Sequence, residues 1–96
     1  MSYKDIVMQD QRLTILQILS HDCDYSHNEN VIQSALAHMG HKIGIDLLRT
    51  HCGWLNEQGL VDINEVVTTW VIKLTHRGLD VANGHAIQPG VARVRP

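Results

Sequence analysis

The chain has 96 residues, room for one domain with one modest core. Hydrophobic residues make up 44% and charged residues 19%, and there is no Phe, so Leu, Ile and Val must fill most of that core. The start Met1-Ser2-Tyr3-Lys4-Asp5 leads into Gln9, Asp10 and Arg12, which does not read as a signal peptide. No apolar run approaches the ~20 residues a membrane helix needs. The expected location is therefore the cytoplasm.

The net charge of −2 is unevenly spread. Residues 1–72 carry Lys4, Arg12, Lys42 and Arg49 against nine acids, a balance of −5, whereas residues 73–96 carry Lys73, Arg77, Arg93 and Arg95 against Asp80, a balance of +3. Such asymmetry turns the C-terminal part toward an anionic partner; the plainer alternative is a solvated tail with scattered charges. Cys23 and Cys52 are the only cysteines. Without an export signal they read as reduced thiols, although counting alone leaves a disulfide open.

In chain order, residues 4–20 read as a helix with a broad apolar face of Ile6, Val7, Leu13, Ile15, Leu16, Ile18 and Leu19. His21 to His27 is polar, has no period and reads as a loop. Ser26 and Glu29 are spaced as a capping box for a second helix, which Val31, Ile32, Ala35, Leu36 and Met39 continue and Gly40 stops. After about four residues, His41 to Gly44, a third helix begins, and two helices joined by so short a Gly-containing turn make a helix–turn–helix. Over Ile45 to Gln58 one half of the cylinder holds Ile45, Leu47, Leu48, His51, Cys52, Trp54 and Leu55. The other half holds Asp46, Arg49, Thr50, Gly53, Asn56 and Glu57.

Gly59 caps that helix, and two β-prone segments follow, one from Leu60 and one over Val66 to Leu74. They are expected to turn around Asn64-Glu65 as a hairpin, with Trp70, Ile72 and Leu74 on one face. Thr75 is placed to cap a short last helix, His76 to Asn83, ended by Gly84. The expected fold is mainly α with a small β-hairpin: a winged helix–turn–helix with a three-helix core, a two-stranded wing and a short C-terminal helix. It occupies residues 1–84, with an irregular tail over residues 85–96.

The string Leu55-Asn56-Glu57-Gln58-Gly59-Leu60-Val61, followed by Leu74-Thr75-His76-Arg77-Gly78-Leu79, resembles the L-x-x-x-G-L-V … L-T-x-x-G pattern of winged-helix proteins, including the ArsR and MarR regulators. It covers about residues 43–83 and is specific for fold rather than function. The whole chain is similar to a small winged-helix family encoded by Mu-like phages and prophages, whose members carry ArsR-like regulator labels by fold analogy. Their genes tend to lie near packaging and head genes. The resemblance implies a phage transcription regulator or, alternatively, an interaction or assembly factor in packaging or head formation, acting in the host cytoplasm.

If the partner is double-stranded DNA, the third helix would enter the major groove. Arg49 would reach a base, Thr50 a phosphate or thymine methyl, Gly53 would permit close approach, and Lys42 would meet a phosphate. Arg77, Arg93 and Arg95 would supply further phosphate contacts. Against this, Asp46 and Glu57 share the helix face and the wing carries Asp62 and Glu65 but no Arg, so cations are few. Arg49 could equally be a solvated surface residue. The wide apolar half of the third helix leaves Leu47 and Trp54 for a partner, the plainer alternative being that Trp54 closes the core beside the hairpin. The first helix shows a similar surplus in Ile15 and Ile18, which suits a homodimer or a phage protein partner.

No metal or cofactor is expected. His21, Cys23, Asp24 and His27 share a loop, and His51 and Cys52 a helix, but the spacing matches no zinc signature and the paired cysteines of ArsR sensors are missing. The seven histidines are scattered, without a nucleophile motif, phosphate loop or carboxylate pair, so no enzyme is expected.

Overall fold

A computed structural model describes residues 1–95. Ser2 opens the first helix, α1 (Tyr3–Ser20), through a reciprocal capping box with Asp5. Leu13, Ile15, Leu16, Ile18 and Leu19 on this helix are buried. Tyr25, at φ 56, then turns the chain into a short strand, β1 (Ser26–Asn28). The segment expected to be only loop thus ends in a strand.

This strand also displaces the expected cap. The backbone of Ser26 is paired across the sheet, so the second helix, α2 (Glu29–His38), starts only after Asn28. The Asn28 side chain accepts the Val31 N–H at 2.9 Å, and no Ser26–Glu29 box forms. Gly40, at φ 95, ends the helical turn beyond Met39, and residues 41–44 lead to α3 (Ile45–Glu57). Leu48, His51, Cys52 and Leu55 of α3 face inward, in the half of the cylinder expected to be apolar.

Gly59 turns the chain into β2 (Val61–Val66), which pairs antiparallel with β3 (Thr69–Leu74). The register sets Val61 opposite Leu74, Ile63 opposite Ile72 and Val66 opposite Thr69. The turn therefore falls at Val67-Thr68, beyond the expected Asn64-Glu65, with Val67 at φ 59. β1 pairs with the other edge of β3, so the expected two-stranded wing is part of a three-stranded antiparallel sheet ordered β1-β3-β2. Ile72 and Leu74 point into the core.

Thr75 caps α4 (His76–Ala82), accepting the Gly78 N–H at 3.0 Å. Gly78 lies so close to the start of the hairpin and the end of β3 that a Cβ there would collide with the Leu60 carbonyl oxygen and the Leu74 side chain. That contact gives the L-T-x-x-G string its physical meaning. Residues 83–95 form no helix or strand, but they are not loose: Val91 is buried and the Ala92 N–H donates to the Gln9 carbonyl of α1 at 3.1 Å. The four helices and the sheet share one core. Among the described residues no helix is long and apolar enough to cross a membrane.

Candidate functional site

The outward stripe of α3 runs through Asp46, Thr50, Gly53 and Glu57, at helical spacing. Thr50 turns its hydroxyl back to the Asp46 carbonyl at 2.9 Å, and the space above Gly53 is open. Lys42, exposed, stands just before the helix. The stripe itself carries two carboxylates and no cation.

Arg49, the one cation of α3, is held elsewhere. Its Nε and Nη2 donate to the two carboxylate oxygens of Glu29, each at 2.7 Å, and Nη2 also donates to the Thr68 carbonyl at 2.9 Å. The guanidinium lies over the Trp70 ring, 4.7 Å from its centroid. Glu29 is buried and accepts the Trp70 backbone N–H at 2.8 Å as well. Its hydrogen bonds from Arg49 keep the carboxyl below its ordinary range against the opposing effect of burial, and Glu29 in turn holds Arg49 above its own. This cluster ties the start of α2 to α3 and the hairpin. To reach a base, Arg49 would have to leave a buried carboxylate unpaired.

Around the cluster the surface is acidic and, at the tip, apolar. Asp46 and Glu65 both lie near enough to act electrostatically on Arg49. Glu65 accepts the Trp70 indole N–H at 3.2 Å. Beyond it, Val66 and Val67 stand out at 51% and 88% exposure.

The other candidate cations gather in different places. Arg77 donates to Gln88, which in turn donates to Gln58 just past the C-terminal end of α3. Arg93 and Arg95 are exposed and flank an open groove of about 960 Å³ between α1 and the tail. Ile6, Val7 and Leu13 line that groove, and its lining includes His41, which bonds Asp10 at 2.7 Å. Lys42 is exposed and follows His41 directly in sequence, whereas Arg93 and Arg95 themselves line the groove.

A second polar cluster lies inside. His51 is fully buried: its Nε2 meets Gln11 Oε1 at 2.8 Å, and its Nδ1 accepts from Arg12 Nε at 3.3 Å. Since Arg12 can only donate, the imidazole is neutral with its proton on Nε2. Burial first, then Arg12 and His41, lower its pKa to about 4. Arg12 also donates to the Gly90 carbonyl at 3.0 Å and covers Trp54, 4.1 Å from the ring centroid. Trp54 is thus covered by the chain's own tail. Ile15 and Ile18 belong to the core, so the surplus expected to serve a homodimer is absent there.

Cys23 is exposed and Cys52 buried, both free, and burial pushes the Cys52 thiol up to about 12. Among the described residues no three His, Cys, Asp or Glu side chains stand together as a metal site, the loop of His21, Cys23, Asp24 and His27 included. Sequence reasoning missed Glu29, Trp70, Gln11 and Arg12. A Glu at the first position of a helix that also carries an apolar stripe is a faint signal that it points inward.

No protein-family model matches the chain. The uncharacterized protein gp26 of Escherichia phage Mu is 42% identical over 92 residues, 96% of this chain and 95% of that protein. An uncharacterized protein of Haemophilus influenzae is 42% identical over 80 residues, 82% of this chain and 78% of that protein. The chain therefore belongs to the Mu-like phage protein family that contains gp26 of phage Mu.

Proposed function

We propose that the chain is a winged-helix domain that works by docking on protein, as an interaction or assembly factor of a Mu-like phage, with α3 and the hairpin tip as its docking face. The winged-helix reading rests on the order of elements: α2, a short turn, α3, then a hairpin beside α3 with β1 returning to it. The preference for protein over DNA rests on one observation, the bidentate Arg49–Glu29 pair. It takes the one cation of α3 out of reach and leaves Asp46, Glu57 and Glu65 facing outward, whereas phosphate neutralisation supplies much of DNA affinity. The exposed Val66-Val67 tip suits an apolar pocket on another protein.

DNA binding as a transcription regulator is the second reading. It is favoured by the exposed Arg93 and Arg95 lining one groove and by the exposed Lys42 just before α3, with Arg77 as a further phosphate contact. One titration separates the two. Mixed-sequence duplex is added at low salt to isotope-labelled protein and backbone amides are followed. The docking reading expects the amides of Asp46, Thr50, Gly53 and Val67 to stay in place. Saturable, salt-sensitive shifts there would overturn it. Shifts confined to Lys42, Arg93 and Arg95 would support the second reading, and Arg93→Ala should then lower the salt slope by about 1.

A further inference from the structure

Two surfaces of this chain complement one another and do not meet within it. The hairpin tip is an apolar knob, Val66 and Val67, with Glu65 beside it and Asp46 close by on α3. The groove between α1 and the tail differs in charge: Ile6, Val7, Leu13 and Val94 line it with Arg93 and Arg95, and its one carboxylate, Asp10, is bonded to His41. The knob is thus negative, and the groove, with two guanidinium groups against the one carboxylate of Asp10, is positive in balance. Val67 carries a further mark. A two-residue hairpin turn with positive φ favours Gly or Asn, yet a β-branched side chain sits there at φ 59, almost wholly exposed. Among the described residues its side chain stays almost wholly uncovered.

We propose that the groove receives the hairpin tip of a second copy of this chain, so that copies associate head to tail. Deepening the docking reading above and resting on it, this names the partner. Val66 and Val67 seat on the apolar floor of the neighbour's groove, and Glu65 and Asp46 face the neighbour's Arg93 and Arg95. Each copy offers both a knob and a groove, so the contact is heterologous and propagates, closing into a ring or continuing as a chain of copies. A carboxylate in the knob or the groove floor should weaken association about tenfold or more, since it removes apolar burial and puts a charge in its place.

Sedimentation velocity over a range of protein concentrations tests this. Wild type should grow in mass beyond a dimer, and less so at high salt, which screens the charges. Val67→Glu and Ile6→Glu should each remain monomeric. Mixed in equal amounts they should form a one-to-one complex and stop, because together they offer one intact knob and one intact groove. Val67→Gly, which relieves the turn while removing the knob, should fold at least as stably as wild type and also remain monomeric. Wild type that is monomeric at every concentration would overturn the proposal, as would a Val67→Glu protein that still dimerises, the mark of a symmetric contact through α1. DNA-induced shifts on α3 would sink the docking reading itself; a monomer whose α3 ignores DNA would sink only the second copy as occupant.

Discussion

Each of the two tryptophans lies under an arginine, and the two pairs are neutralised in opposite ways. Arg49 over Trp70 faces a buried carboxylate, Glu29, which holds it above its ordinary pKa. Arg12 over Trp54 faces only neutral dipoles, the His51 nitrogen and the Gly90 carbonyl, and burial lowers it. The first cluster fixes the hairpin to α2 and α3; the second fixes the tail to α1 and α3. An ion pair fails when either partner is removed, because the other is left charged and buried. A dipolar cluster fails when one of its members acquires a charge.

The largest expected effect exploits that difference through pH. In the unfolded chain His51 takes up a proton near 6.5, whereas in the folded chain it does so only near 4. Across that window the unfolded state binds more protons, so stability should fall by about 3 kcal/mol as pH drops from 6.5 to 4. Glu29, held below its ordinary range, adds a loss at still lower pH. Urea melts across this range should show the upper limb flattened by His51→Gln and the lower one by Glu29→Gln. At neutral pH, Glu29→Gln should itself cost about 2 kcal/mol, because three hydrogen bonds lose their charged acceptor. Replacing Arg49 with Met in that background should cost less than in wild type, a coupling read by a double-mutant cycle. The smallest effect belongs to the tail: Gly90→Ala, at φ 94 and with its methyl 2.6 Å from Trp54, should cost about 1–2 kcal/mol. Amide exchange should then quicken at Val91 and Ala92 and leave the hairpin unchanged.

The parts of the fold carried by local repetition were legible in the sequence. Leu48, Cys52 and Leu55 announce the inner face of α3, and Thr75 and Gly78 the start of α4, because helical period and cap chemistry act between near neighbours. What was not legible depends on distant partners. Ser26, His27 and Asn28 have no strand-like pattern; they are a strand because β3 offers them an edge. The turn was misplaced because Val67 adopts a backbone conformation that turn rules assign to Gly or Asn. Arg49 looked like a surface cation since its helical wheel cannot reveal a carboxylate 20 residues earlier in the chain. The tail has no period, yet Val91 is buried, since its hold comes from Gln9, Arg12 and Trp54 rather than from its own residues.

The sulfur atoms lend the protein a built-in clock. Cys23 meets an alkylating reagent at once, while Cys52, sealed in the core with its thiol pushed up to about 12, reacts only when the body opens. A short reagent pulse therefore leaves one label on an intact molecule and two on an opened one, so mass alone counts openings in unaltered protein.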